Sequence, residues 1–535
     1  MSEQEFDLII IGAGINGAGI ARDAALRGLK VLLLDKGDFG GGTSSASTRL
    51  IHGGLRYLEY GEFGLVRESL REREILLRIA PHLVKPLPIL IPIYDGAQRG
   101  SWTIGAGLTV YDWLAWLSGK RSLPRHEMLS RTEAFKHVPQ LNPRGLRAAA
   151  LYYDAQVEFA ERLVLENVLA AKENGATIAS YARVDNLIVE GQTVRGVEFT
   201  DLRANQKLRE TARITINAAG PWVDELAGGV GSERLIGGTK GSHLVVAPFA
   251  GAPSNALYVE AAKDRRPFFI IPWNENYLIG TTDSRYEGDP GEVRIDDPEM
   301  EYLLAETNRV IPEANLTRAN VLFSFSGVRP LAFAGDEDER RISRRHFVHD
   351  HSPRLNGFVS IVGGKLTTYR SLAEQAVNLL LGKLKIPAPA CSTASEPLPG
   401  AVTATGLEFA QFCEQFAEES GLPERTTQRL LRIYGTRAPA LLELTRDEPR
   451  LGETLSTTTD AIAAEVVFSF QQELAQTLAD CLLRRTMIGL NANAGIGEDQ
   501  RAARIAQDHL GWSAARAEAE VSAYRKCLEK SQFPR

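Results

Sequence analysis

Apolar and polar positions along this chain follow two periods, and the switches between them outline its elements. Leu8 to Ile11 is apolar at every position, which predicts a strand buried on both faces. It runs into Gly12, Gly14 and Gly17. An Ala-rich helical stretch follows, Gly28 stops it, and a second apolar strand ends on Asp35. Ile214–Trp222 predicts a strand and a small-residue turn, and Ser360–Arg370 a strand, a Gly-Gly turn and a helix starting near Leu366. Between them Tyr258–Asp283 alternates like an antiparallel hairpin, with Asn274-Glu275-Asn276 at the turn. Ile386–Ala401 is rich in Pro and Ser and reads as a linker. Beyond it, Leu407–Glu419, Ala461–Leu483 and Gln500–His509 predict helices, and no internal repeat is present.

These elements predict an α/β chain in three parts. A Rossmann-like domain is discontinuous over 1–80, 150–225 and 355–385. A mixed or antiparallel β-sheet cap, the substrate domain, takes 81–149 and 226–354. After the linker 386–401, an all-α C-terminal domain covers 402–535.

The three glycines carry the first chemistry. Between a strand and a helix, Gly12 permits a tight turn, Gly14 a close approach of backbone to a pyrophosphate, and Gly17 close packing of helix on strand. The free N–H groups at that helix start favour a phosphate anion. Asp35, about 20 residues on, suits a ribose diol. A second phosphate-friendly stretch, Gly40–Ser47, follows at once, which suggests a cofactor held along its whole length, as flavoproteins hold FAD. A helix start beyond Gly363–Gly364 would stabilise negative charge on a reduced flavin.

Composition narrows the rest. The 535 residues are too many for one ordinary core, and the formal net charge of −6 argues against nucleic acid as a partner. An anionic substrate must then be drawn by a local cluster of cations. The four cysteines (Cys391, Cys413, Cys481, Cys527) form no CxxC, so no metal site is evident and a reducing compartment is expected. No signal peptide precedes the first strand, and no uncharged apolar run is long enough to span a membrane.

Six segments, in order, carry a family resemblance: Thr43–Glu59 (TSSASTRLIHGGLRYLE), Asn217–Leu226 (NAAGPWVDEL), Lys240–Val246 (KGSHLVV), Ile279–Asp283 (IGTTD), Ser326–Leu331 (SGVRPL) and Gly363–Glu374 (GGKLTTYRSLAE). The chain resembles the FAD-dependent glycerol-3-phosphate dehydrogenases of the D-amino-acid-oxidase-like flavoprotein group. It departs at Asp35, where many flavoproteins carry Glu; the shorter acid still reaches a ribose.

The resemblance implies non-covalent FAD, held by Gly12, Gly14, Gly17, Asp35, Thr43, Ser44, Ser45, Ser47, His52, Gly53, Val184, Ala219, Gly220, Gly363, Gly364, Lys365, Leu366 and Thr367. It implies sn-glycerol 3-phosphate as substrate, with Arg56, Tyr57, His243, Thr281, Arg329 and Lys365 around it and His243, Arg56, Arg329 and Lys365 as the catalytic set. Phosphate recognition calls for fixed guanidinium or ammonium groups, and removal of the hydroxyl proton calls for a base. His243 is the favoured base; His52 is read as packing near the flavin, and the identity of the base stays open.

Electrons are expected to pass to a membrane quinone, at the cytoplasmic face of the inner membrane, without a transmembrane segment. The interfacial candidate is Ser101–Gly119, which holds Trp102, Trp113 and Trp116, preceded by Arg99 and followed by Lys120, Arg121 and Arg125. A helix buried under the cap is the competing reading of the same segment. Arg340–Arg341 and Arg344–Arg345 are further basic pairs, and Asp336–Glu339 reads as solvated loop charge. A homodimer is compatible with the family. Two other readings stay open: an oxidase using oxygen or a related amine- or amino-acid-oxidising flavoenzyme, and a flavin-binding protein without turnover.

Overall fold

In the computed structural model, residues 5–530 are described apart from 120, 230, 232, 334, 336–344, 388 and 404–406. Lys120, Arg340, Arg341, Arg344, Asp336 and Glu339 therefore lie outside the described residues.

Phe6–Ile11 is buried at every position but one, as a central parallel strand must be. It pairs in parallel with Val31–Leu34 on one side and with Gln206–Asn217 on the other. Phe358–Val362 extends the sheet beyond Gln206–Asn217, and Thr177–Ala179 extends it beyond Val31–Leu34. An antiparallel strand, Phe347–Asp350, closes one edge. The helices Ile15–Leu26, Ala160–Glu173 and Tyr369–Leu384 pack on this sheet and share one core with its buried strands.

The second layer is a ten-stranded sheet, antiparallel except where Ala256–Glu260 runs parallel to Val84–Tyr94. Its centre is the hairpin read from the sequence: Pro267–Trp273 turns through Asn274 and Glu275, both at positive φ, into Asn276–Gly280. Thr239–Val246 lies between Asn276–Gly280 and Val321–Arg329, so Lys240, His243 and Arg329 come from adjacent strands. The chain enters this sheet early, at Leu50–Ile51, and Leu146–Val157 belongs to it along its whole length.

The C-terminal part is helical, with a two-stranded ribbon, Thr454–Ser456 with Ala461–Ile462. The helix expected over Ala461–Leu483 is broken. After Ala464–Gln471 the chain turns through Leu474 at positive φ, and Thr477 then caps a new turn at Leu478–Asp480 that continues as a π-helical turn, Cys481–Arg485. The break brings Glu473 inward, where Arg162 pairs with it at 2.6 Å. The Pro/Ser-rich segment is pinned down: Leu398 is fully buried, and the Gly400 N–H donates to Glu166 3.0 Å away.

Candidate functional site

One cavity of about 960 Å³ lies between the two sheets, and its floor is the strand–glycine–helix unit. At Gly12, φ is +99°, and a Cβ would lie 2.7 Å from the Ala218 carbonyl oxygen. A Cβ on Gly17 would lie 1.8 Å from the Gly12 carbonyl oxygen, so the helix packs on the turn only without side chains there. Ser44 folds over the helix start and accepts from the Ile15 N–H at 3.0 Å. The Asp35 carboxylate accepts from Ala13 N–H at 2.6 Å and Gly37 N–H at 2.8 Å. Burial pushes it up to about 6 while those two N–H groups oppose the rise.

The same cavity also carries fixed cations. Arg329 donates through Nη1 to Asp283 at 2.9 Å and through Nη2 to the Thr281 hydroxyl at 2.9 Å, which fixes its fork at the wall. Lys365 Nζ stands 3.7 Å over the Tyr57 ring, and Arg56 reaches the Tyr60 hydroxyl at 3.2 Å. Gly54 lies at φ +77°, and a Cβ there would meet the Tyr57 ring at 2.2 Å; this glycine lets the ring fold back beneath Lys365. Behind it, the Gly53 N–H donates to Tyr111, whose hydroxyl donates to Asp154 at 2.8 Å.

His243 stacks on Phe325 at 4.9 Å between ring centres, and its Nε2 lies 2.9 Å from the Thr48 hydroxyl. Nδ1 is buried with no hydrogen-bond partner among the described residues. Burial, reinforced by Arg329 and Arg49, pushes the imidazole down from 6.5 to about 3. Between those two values the unfolded chain binds the proton and the folded chain does not. The stability this histidine contributes is therefore full above pH 6.5 and is lost as pH falls toward 3. Urea denaturation at a series of pH values is expected to show a steeper acid-side loss for the parent than for His243→Gln. Equal slopes would mean that the imidazole is not held neutral.

A cavity with a glycine-and-helix floor, a buried carboxylate and fixed cations fits a dinucleotide plus an anionic substrate. Comparison with known proteins agrees. Residues 7–370 match the FAD dependent oxidoreductase family, and 391–517 match the C-terminal domain of alpha-glycerophosphate oxidase. A glycerol-3-phosphate dehydrogenase of Synechocystis is 46% identical, covering 99% of this chain and 97% of that protein. The chain belongs to the FAD-dependent glycerol-3-phosphate dehydrogenase family. An aerobic glycerol-3-phosphate dehydrogenase of Staphylococcus haemolyticus is 34% identical over 91% of this chain and 87% of its own. The solved glycerol-3-phosphate dehydrogenase of Bacillus halodurans, complexed with FAD, superposes with a TM-score of 0.80 at 28% identity, covering 99% and 96% of the two chains.

FAD is thus the cofactor of this dehydrogenase-family chain. Of the residues expected to hold it, Gly12, Gly14, Asp35, Thr43, Ser44, Ser47 and His52 line the cavity. So do Val184, Ala219 and Gly220, and the run from Gly363 to Thr367. Three do not. Gly17 packs against Gly12, the Ser45 hydroxyl donates to the Gly42 carbonyl, and Gly53 is turned toward Tyr111. Arg56, Tyr57, His243, Thr281 and Arg329 line the cavity together with Lys365.

The helix after Gly363–Gly364 starts at Tyr369, three residues later than expected. Lys365–Thr368 forms a turn, with the Thr368 N–H donating to the Lys365 carbonyl, so that turn and not the helix meets the cavity. Asp283, which orients Arg329, and Thr48, which meets His243, were legible only as members of the motifs IGTTD and TSSASTRL. Arg484, a lining residue from the C-terminal domain, had no sequence signal.

Proposed function

We propose that this chain oxidises sn-glycerol 3-phosphate to dihydroxyacetone phosphate and passes the electrons to a membrane quinone. The observation that carries the reading is Arg329, fixed by Asp283 and Thr281 at the cavity wall, with Lys365 and Arg56 in the same cavity. Arg329 also donates to the Lys240 and Thr282 carbonyls at 3.4 and 3.3 Å, so it offers the phosphate of the substrate a fixed guanidinium charge, and a preformed anchor loses little on binding. The FAD supplies the hydride acceptor. His243 takes the hydroxyl proton, and Arg56 stabilises the developing alkoxide. Arg329 is one of the charges that hold His243 neutral; a phosphate dianion beside Arg329 cancels part of that field and raises the basicity of the imidazole as substrate binds. Anaerobic titration of the purified holoprotein with glycerol 3-phosphate should bleach the flavin absorbance. An unbleached flavin would remove the proposal.

Quinone as acceptor is supported by the Ser101–Leu117 helix. It buries Leu108, Tyr111, Leu114 and Ala115 against the second sheet, while Trp102, Trp113 and Trp116 are 87%, 56% and 65% exposed. The buried-helix reading accounts for one face only. Two of the expected lipid-facing cations are already engaged, Arg99 by Glu59 and Glu260 and Arg121 by Asp112; of the described ones, Arg125 is exposed. No helix among the described residues is long and apolar enough to cross a membrane. We place the chain peripherally, on the cytoplasmic face of the inner membrane. Replacing Trp113 and Trp116 by Ser is expected to weaken vesicle binding roughly tenfold per residue while dye-linked activity survives. Loss of flavin or of folding in that variant would return the helix to a purely structural role.

Oxygen is the alternative acceptor, favoured by the match of the C-terminal domain to that of alpha-glycerophosphate oxidase. Peroxide released in air at the rate of substrate turnover would select it.

A further inference from the structure

We infer that the C-terminal helical domain grips the adenosine end of the FAD, through Arg484 at the cavity wall. The Asp35 end of the cavity is the adenosine end, because the acid closing the second strand of this motif meets the ribose. That end is built by two loops. One follows Asp35 and carries Gly37 and Asp38; the other is Ser180–Tyr181, and the Tyr181 N–H donates to the Gly37 carbonyl at 3.1 Å. Both loops are held from the C-terminal side. Arg485 makes a two-pronged pair with Asp38 at 2.6 and 2.8 Å, fully buried. Burial alone would push the Asp38 carboxyl up, but Arg485 and Arg484 outweigh it and hold it below the ordinary range. Tyr181 donates to Asp480 at 2.6 Å, and Gln476 donates to Ser180 at 2.9 Å.

Arg484 differs from the rest of this clasp because it lines the cavity itself. Its Nε donates to Asp38 and its Nη2 to Asp480 at 2.9 Å. A guanidinium has five N–H donors, so three are left over, and no described residue takes them up. Arg484 and Arg485 together face two carboxylates, Asp38 and Asp480, so the cluster is balanced in charge. The remaining donors suit neutral acceptors, the ribose oxygens and ring nitrogens of an adenosine, better than a second phosphate. In a pocket built this way, Arg484 recognises the half of FAD that FMN lacks. The inference depends on FAD filling the cavity and not on which substrate is oxidised.

The test uses the full-length apoprotein of the parent, Arg484→Met and Arg484→Lys. Dissociation constants for FAD and for FMN are read from flavin fluorescence, alongside the apoprotein Tm. Expected is a rise in the FAD dissociation constant of about tenfold or more for Met, and less for Lys, with FMN binding unchanged. FAD binding within about twofold of the parent would overturn the inference, as would equal weakening of FAD and FMN. The same ratio separates the case from a general loss of folding if Met lowers the apoprotein Tm, because that would weaken both ligands alike. The Lys variant, which keeps the charge that holds Asp38 and Asp480, separates recognition from support of the loops. Should Met prevent folding, the Lys variant, which keeps the charge toward Asp38, is judged by the same FAD-to-FMN ratio.

Discussion

Arg329→Ala is expected to lower kcat/KM for glycerol 3-phosphate by about 10²–10³-fold, since truncating one partner of a desolvated charge pair costs roughly 2–5 kcal/mol. The structure adds a reason for the upper part of that range. Nη1 of Arg329 is bound to Asp283, and its removal leaves that carboxylate facing the place of the phosphate, where it repels instead of orienting. FAD content should not change, because Arg329 is held by Asp283 and Thr281 and not by any group of the glycine floor. Lysine in its place should recover only part: an ammonium cannot hold Asp283, Thr281 and a phosphate oxygen in one plane. Glycerol is the control. It lacks the phosphate, and its slow turnover should hardly change in the variant. Equal losses on both substrates would place Arg329 at the reacting carbon, or in the fold, and the phosphate assignment would go.

How much of this was readable beforehand depended on range. The nucleotide floor was legible because its constraints are local: a buried strand, glycines at fixed offsets and an acid at the end of the next strand lie within thirty-odd residues. The strand hairpin was legible for the same reason, its turn marked by Asn274 and Glu275. The break after Gln471 was missed because Glu473 is drawn inward by Arg162, a partner 311 residues away that no helical periodicity reveals. Distance hid Arg484 in the same way, since Asp38 is 446 positions off. The Trp-bearing segment was ambiguous because both readings describe one helix, apolar inside through Tyr111 and Leu114 and aromatic outside. Sequence pattern detects that a helix has two apolar faces, but only packing shows which face is taken.

Gly14→Val should leave a folded chain without FAD, and Gly17→Val should leave no folded chain. The two glycines belong to one motif and fail differently. Gly14 sits at φ −70° and ψ −177°, a conformation valine adopts, and a Cβ there meets only the Ser44 hydroxyl, at 3.4 Å. The space its side chain takes is cavity, where the pyrophosphate must approach backbone. FAD affinity is expected to fall by about 10²-fold or more, roughly 3 kcal/mol of overpacking, with the apoprotein Tm near the parent's. At Gly17 the added Cβ would lie 1.8 Å from the Gly12 carbonyl oxygen, a backbone atom held by the turn, so helix and sheet must separate. The absorbance ratio of flavin to protein and the Tm of each apoprotein distinguish the cases. A Gly14→Val protein that is still fully yellow would move the pyrophosphate away from this helix start. A Gly17→Val protein with the parent's Tm would mean that the helix can slide on its strand, and the close packing would have to be explained by the sheet's own burial.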